Sequence, residues 1–400
     1  NAKNAAKAGG VSLMALSLAA CGGSSTTTTS TSTDTTTTTT TTTDTLTNAS
    51  ETVSFSGTMA APMVWSPGGD TRTESLQSDD QVTGSGTADT INITTDGGNV
   101  APKLIGIETV NYNLAGDTAA VLNLSNSSGL TVVNVSSTDG DVTVTGLGAG
   151  VELGANNISD SATNAAFQLT STAVSGATSA TVNVDGFLGT NLNVGASAAA
   201  GVNGTGVETL TIKAAGATSS IANVGSSGVT TLNVDADAQL TISALASTSV
   251  AEINLTGSTA TTSIDADANA NAQEFTYTGG AGDDTIIINT AFAGTDAFTG
   301  GDGDDTLSVR ILSTGGDVAA VGALSSADAS VVSGFETLDL RSVDDATGGA
   351  SANDMVVDMD TVAGVTAVTM RAGDTSAATL FTLNDLSAAQ AGNLTITHTG

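Results

Sequence analysis

From about residue 51 onward, apolar and polar residues alternate in short runs. They read "INIT" (91–94), "TVNYNL" (109–114), "TVVNV" (131–135), "VTVTG" (142–146), "ATVNVDG" (180–186), "TLTIKA" (209–214), "TLNVDA" (231–236), "EINLTG" (252–257), "TLDLRS" (337–342) and "NLTITH" (393–398). Strict alternation puts every second side chain on one face, so each run predicts a half-buried strand. Gly, Asn, Asp or Ser bounds each of them, which is strand-boundary chemistry. The runs often return after about 20 residues, the spacing of one rung of a coiled β-solenoid rather than of tight hairpins. Helical text is scarce, and "NDLSAAQAG" (384–392) predicts one or two turns. The expected fold is all-β, a parallel β-helix or β-roll-like solenoid.

Composition narrows the kind of core. The 400 residues include 47 glycines, 3 prolines and 11 aromatics (8 Phe, 2 Tyr, 1 Trp). Small and β-branched residues suit pleated strands, and stacked coils build a narrow continuous core out of them. Forty acidic residues against 8 basic ones give a net charge of −32. Such a polyanion repels nucleic acid and anionic lipid and attracts divalent cations. A solvated acidic surface accounts for most of these carboxylates.

The first 50 residues read differently. Lys3 and Lys7 precede "VSLMALSLAA", an apolar stretch too short to span a bilayer and sized like the core of a signal peptide. Leu18-Ala19-Ala20-Cys21 then looks like a bacterial lipobox, with Cys21, the sole cysteine, at the position that lipidation requires. A single cysteine also excludes an intrachain disulfide and a Cys-based metal site. Residues 22–50, a Thr/Ser run, offer almost nothing to bury and predict a disordered tether about 30 Å across. Residues 1–21 therefore read as signal peptide and lipobox, and 22–50 as a tether between a lipid anchor and the solenoid.

A second repeat lies within the strands. "GIETVNYNL" at 106, "GVETLTIKA" at 206 and "GFETLDLRS" at 334 share a Gly, an apolar residue, a Glu and a Thr that lead into a strand. The expectation is a glycine ending one rung, the apolar residue pointing in and the glutamate pointing out. A generic turn-to-strand junction is the alternative reading.

The densest chemistry is at residues 277–309. Gly279-Gly280-Ala281-Gly282-Asp283-Asp284-Thr285-Ile286-Ile287 and Gly300-Gly301-Asp302-Gly303-Asp304-Asp305-Thr306-Leu307-Ser308 both fit G-G-x-G-x-D-x-U-x, U being a large apolar residue. Calcium takes six to eight hard oxygen ligands in flexible geometry. Glycines permit backbone shapes that aim carbonyls inward, and the aspartates add charge. Each nonapeptide is thus half a ligand cage and half a coil, and this is the repeat known for calcium-binding β-helices. The two starts, Gly279 and Gly300, are separated by one coil of two nonapeptides with three further positions added. An opposite turn at Gly294-Thr295-Asp296 would let the two perfect turns stack. The candidate calcium ligands are Gly279, Gly280, Gly282, Asp283, Asp284, Gly300, Gly301, Asp302, Gly303, Asp304 and Asp305, with Asp296 opposite.

Weaker signals lie elsewhere. "GSGTADTIN" (84–92) is a degenerate copy that keeps Asp89, which joins the candidates. The pairs Asp235/Asp237, Asp265/Asp267 and Asp358/Asp360 each set two carboxylates on one strand face, as solvated charges or around an ion. The second pair continues to Asn269 and Asn271.

The paired turns resemble RTX proteins. More specifically, "TYTGGAGDDTI…AFTGGDGDDTL…VVSGFETLDL" resembles the calcium-dependent S-layer and surface β-strand-repeat proteins of alphaproteobacteria, over about residues 275–342 and more loosely over 84–275. The resemblance implies a crystalline or adhesive coat whose folding and lattice contacts depend on calcium. Members of that family leave by type I secretion with an uncleaved C-terminal signal, whereas this chain begins like a Sec-exported lipoprotein. The implied organisation is a solenoid over 51–274, a calcium-binding module over 275–342 and a further β-repeat over 343–400 whose pattern breaks off at Gly400. The expected function is an S-layer-like coat subunit on the surface of a Gram-negative cell, with Ca²⁺ as cofactor. Its partners would be further copies in a lattice or filament, the outer membrane through the lipid, and a cell-surface polysaccharide. An RTX adhesin or filament subunit is the alternative, ahead of a β-helix polysaccharide lyase.

Catalytic chemistry finds little support. His398 is the one histidine, and neither H-E-x-x-H nor G-x-S-x-G occurs. Six basic residues lie beyond residue 50 and none is expected to cluster with another, so Arg310, Arg341 and Arg371 read as surface charges. The expectation is that the chain is not an enzyme.

Overall fold

Each alternating run is a strand, and each strand lies beside its counterpart one coil away. The structure is a computed structural model that describes residues 46–47, 50–65, 72–175, 178–267, 274–289, 296–312, 319–320, 331–343, 355–362, 364–371 and 381–399. The segments read as signal peptide and tether, Cys21 among them, lie outside the described residues apart from 46–47 and 50. All ten runs fall on strands, three of them with the bounds read from the sequence: Thr109–Leu114, Thr209–Ala214 and Thr231–Ala236. Among the described residues one strand pair, Met63–Trp65 with Arg72–Glu74, is antiparallel, and every other strand pair is parallel.

Parallel neighbours need a crossover between them, and here the crossover is the rest of a coil. A long sheet of twelve strands runs from Thr58–Ala61 to Val331–Ser333. Its shortest coil leads from Thr90 to Thr109 and its longest from Ala297 to Val331. The facing wall is built in two parts. Six strands run from Gly98–Val100 to Asn223–Gly225, then eight from Ser219–Ile221 to Thr395–Thr399. The handover falls in one coil, where the wall strand is interrupted at Ala222. A third sheet of Thr52–Phe55, Gln81–Gly84 and Lys103–Ile105 closes the first coils. The fold is a parallel β-solenoid, as the rung spacing predicts.

Burial follows the alternation. In the long sheet, Ala180, Leu210, Leu232, Ile253, Tyr277, Phe298 and Val332 stack in register and are buried. In the facing wall, Ile264, Ile286, Leu307, Leu338 and Val368 do the same. A one-residue slip would turn an entire column to solvent, so register is strongly specified. Ile286 and Leu307 are the apolar residues of the two nonapeptides, and both fill the core as expected. Around them the core is aromatic: Phe275 packs on Phe298 (5.7 Å between centroids) and Tyr277 on Phe335 (6.2 Å).

Outside, identical polar side chains stack. Asn111 donates to Asn92 (2.7 Å), and Asn134 donates to Asn111 (2.8 Å). On the facing wall Asn191 donates to Asn164, and Asn223 to Asn191 (2.9 Å). Such amide ladders form only where equivalent residues repeat at the inter-strand spacing of about 4.8 Å. The one α-helix among the described residues, Ala388–Asn393, starts at a capping box made by Ser387 and Gln390, inside the segment with helical text.

Candidate metal centre

The two perfect turns stack directly. The strands on both sides are in register, Thr276 with Ala297 and Thr285 with Thr306, so Gly279–Asp284 lies against Gly300–Asp305. The Asp302 N–H donates to the Gly280 carbonyl (3.0 Å). Glycine is required by this approach. A Cβ on Gly279 would sit 1.4 Å from the Gly300 carbonyl oxygen, and one on Gly300 would sit 1.7 Å from that of Gly334. Gly301 (φ 115°) and Gly303 (φ 131°) are in backbone conformations closed to other residues, each with a carbonyl of the lower turn, Gly280 or Gly282, beside it.

The aspartates divide into two kinds. Asp284 and Asp305 are buried, whereas Asp283, Asp302 and Asp304 are exposed on the turn surface. Asp284 accepts the N–H of Thr262 (3.0 Å), its counterpart one coil earlier, and of Gly280 (2.8 Å) in its own turn. Asp305 accepts the Asp284 N–H (2.7 Å), and Glu336 accepts the Asp305 N–H (2.8 Å). Outside this ladder the Asp304 N–H donates to Asp283 (2.9 Å).

The same arrangement recurs at other corners of the coil. Asp296 accepts the Phe275 N–H (2.8 Å) opposite the turns; Gly294 and Thr295 lie outside the described residues. Asp89 accepts from Gly57 and Gly86 (both 2.6 Å), and Glu108 accepts the Asp89 N–H (2.6 Å). Asp80 accepts from Glu51 (2.7 Å) and Gln77 (2.6 Å). A carboxylate just before a strand therefore holds the N–H of the equivalent residue in the preceding coil. Such an N–H is buried and needs an acceptor, and a charged acceptor makes the stronger bond. Asp80 carries no motif that would have marked it in the sequence. The glutamates of the G-U-E-T repeat were expected to point outward, and two of the three do not. Glu108 and Glu336 are only partly exposed and turn back along the stack, while Glu208 is exposed as expected. Their glycines, Gly106, Gly206 and Gly334, all have φ between 61° and 80°.

Asp305 is the ladder acid of the second perfect turn. Its Oδ2 is buried with no hydrogen-bond partner, and so is the hydroxyl of Tyr277 nearby in the core. Burial, then the charges of Asp284, Glu336 and Asp283, push the Asp305 carboxyl up to about 6 despite the Asp284 N–H. Burial also raises Asp284, against two backbone donors. It raises Tyr277 well above 10, with the carboxylates of Asp284 and Asp305 adding to the rise. A buried carboxylate oxygen without a donor carries an uncompensated cost. A hard cation is the kind of group that offsets it. Among the described residues no three acidic, His or Cys side chains converge into a ready-made cage. Backbone carbonyls and water would have to complete any coordination shell here.

Two other expectations from the sequence are corrected. The pair Asp265/Asp267 already has a cation: the Arg310 guanidinium contacts both carboxylates, 2.8 Å from Asp265. Burial pushes Asp265 up, the Asp267 N–H and Arg310 oppose the rise, and the Asp267 carboxylate adds to it. Nor are the arginines scattered. Arg310, Arg341 and Arg371 sit in register on successive coils, and Arg371 pairs with Asp339 (2.9 Å). Wide separation along the chain hid a spacing of one rung. Asp358 receives the Asp360 N–H (3.1 Å) and caps the short 3₁₀ turn Met359–Val362, while Asp235 and Asp237 are exposed. Asn269 and Asn271 lie outside the described residues.

The class that these features define is a parallel β-solenoid with stacked, acidic, glycine-built turns. No protein-family model matches the chain, and no curated protein matches its sequence.

Proposed function

We propose that this chain is a calcium-dependent structural protein of the bacterial surface, a coat subunit of the S-layer kind. The observation that carries the reading is the direct stacking of the two G-G-x-G-x-D turns, with Asp284 and Asp305 buried between coils and one Asp305 oxygen without a donor. The donor set fits calcium: carboxylates of Asp284 and Asp305, carbonyls of the turn glycines, and the exposed carboxylates of Asp283, Asp302 and Asp304. All are hard oxygens on a flexible backbone. Bound there, the ion would supply positive charge to a polyanion and tie one coil to the next. Asp296 and Asp89 are weaker candidates, since neither lies in a complete G-G-x-G-x-D turn. Lipidation at Cys21 would display the solenoid on the outer membrane, and self-association would build the coat. An adhesin or filament subunit is the alternative, and the lack of convergent catalytic groups in the sequence favours a non-enzymatic role.

The test is circular dichroism and limited proteolysis in chelator, then with calcium added back, followed by electron microscopy of the calcium-loaded protein. Ordering of residues 275–342 with calcium, and two-dimensional sheets on the grid, support the reading. Identical behaviour with and without calcium would remove the cofactor, and filaments or single particles would remove the coat.

A further inference from the structure

A surface groove of about 410 Å³ lies at the C-terminal ends of successive strands of the facing wall, Ala120–Asn123, Val142–Leu147, Asn164–Leu169 and Asn191–Gly195. That size is typical of ligand sites, and three inter-strand steps make it about 14 Å long. Its polar lining includes Asn123, Ser125, Thr145, Gln168, Thr170 and Ser197, and Ala196 and the core residue Leu169 complete it with little apolar surface. None of the lining residues is ionisable, on a chain that carries 40 acidic residues.

The backbone is shaped around this groove. Pairing of Val142–Leu147 with Asn164–Leu169 shifts between Val144 and Leu147, a bulge of one extra residue. Bulges re-aim side chains and concentrate next to binding sites. Gly146 (φ 79°) permits the bend, since a Cβ there would lie 2.3 Å from the Ser125 nitrogen. Ser197, a non-glycine residue at φ 59°, begins a hairpin held by Ala196–Thr205 and Ala199–Val202 pairing. Strained residues of this kind persist where the surroundings over-determine them, and they cluster at ligand sites. Hydrogen-bonding capacity remains open. The Asn123 Oδ1 accepts the Ser125 N–H (3.0 Å) and the Thr170 hydroxyl accepts the Ala173 N–H (3.2 Å). Among the described residues, the Asn123 NH₂ and the Gln168 amide have no protein partner.

We infer that this groove is a binding site for an uncharged glycan chain lying along the solenoid. Amides and hydroxyls match the donors and acceptors of sugar hydroxyls. A polyanionic glycan or nucleic acid would meet the repulsion of a chain at −32, whereas a neutral glycan does not feel it. An extended peptide would need a free strand edge to pair with, and Val142–Leu147 and Asn164–Leu169 are paired on both sides.

The probes are hexasaccharides of glucose, mannose, galactose and N-acetylglucosamine, with an alginate hexamer as the charged control. Saturation-transfer NMR and calorimetry on the full chain, in chelator and in calcium, read the binding. At least one neutral hexamer should bind, alginate should not, and chelation should leave the affinity unchanged. Independence from calcium separates this outcome from that of the calcium reading. Gln168→Ala and Asn123→Ala should each weaken binding about three- to tenfold, the loss of a hydrogen bond or two. Asn92→Ala, on the opposite wall, should not. Circular dichroism checks that each variant folds. Binding by no neutral hexamer, equal binding of alginate, or unchanged affinity in both groove variants overturns the proposal.

Discussion

Asp305→Asn should have opposite consequences with and without calcium. In the calcium-free protein Asp305 is fully buried, one oxygen has no donor, and its carboxyl is pushed up to about 6 from an ordinary 3.8. The folded state therefore holds this proton more tightly than the unfolded state does. Its stabilising share is fully present below about pH 4 and is lost as pH rises through about 6, and the shift of about 2 pH units corresponds to about 3 kcal/mol at most. Asparagine removes the charge and keeps an acceptor for the Asp284 N–H. At pH 7.5 in chelator the variant should protect the surrounding strands by about 1 to 3 kcal/mol more than the parent. Calcium should reverse the order. With extracellular-type affinity, about 10 mM calcium would stabilise the parent by about 1.4 to 2.7 kcal/mol, and the variant much less. Hydrogen exchange of the amides in Thr285–Asn289 and Thr306–Leu312 reads this locally, which suits a solenoid whose coils open separately. If Asp305→Asn weakens protection in chelator as much as Asp305→Ala does, the buried anion is net stabilising where it sits, and the burial-driven account is refuted.

Gly279→Ala should disrupt the stacked turns and cost about 1 to 3 kcal/mol or more, whereas Gly148→Ala, where a Cβ meets nothing within 4 Å, should be close to neutral; thermal melts compare them. Arg310→Gln should leave Asp265 and Asp267 facing each other without their cation, destabilise the stack by about 1 to 3 kcal/mol, and raise the Asp265 carboxyl further, seen in its NMR titration. Magnesium should replace calcium poorly in restoring protease resistance after chelation, because it demands a tighter octahedron; equal rescue would argue for general charge screening. Cys21→Ser should release the protein from membranes, and an unmodified Cys21 in the mass spectrum of the mature protein would exclude the lipid anchor.

Sequence alone determined the solenoid, because its two signals are local. Alternation fixes which face of each strand is buried, and the recurrence of turn residues fixes where the strand ends. Ile286 and Leu307 were legible as core, and Ser387 and Gln390 as part of a helical segment, for that reason. The stacking of the two perfect turns was legible too, since the interval from Gly279 to Gly300 leaves room for a single coil. Contacts set by the register between coils were not legible. Arg310 meets Asp265 and Asp267 two coils back along the chain, and it stacks with Arg341 and Arg371 only because coil lengths bring them level. The carboxylates of Asp80, Asp89, Asp284, Asp296 and Asp305 read as surface charge or calcium ligands. Tertiary structure gives each of them a backbone N–H of the preceding coil. Coils differ in length, from the short step between Thr90 and Thr109 to the long one between Ala297 and Val331. No local pattern encodes the sum of those lengths. Only the closed stack decides which charge lies over which N–H.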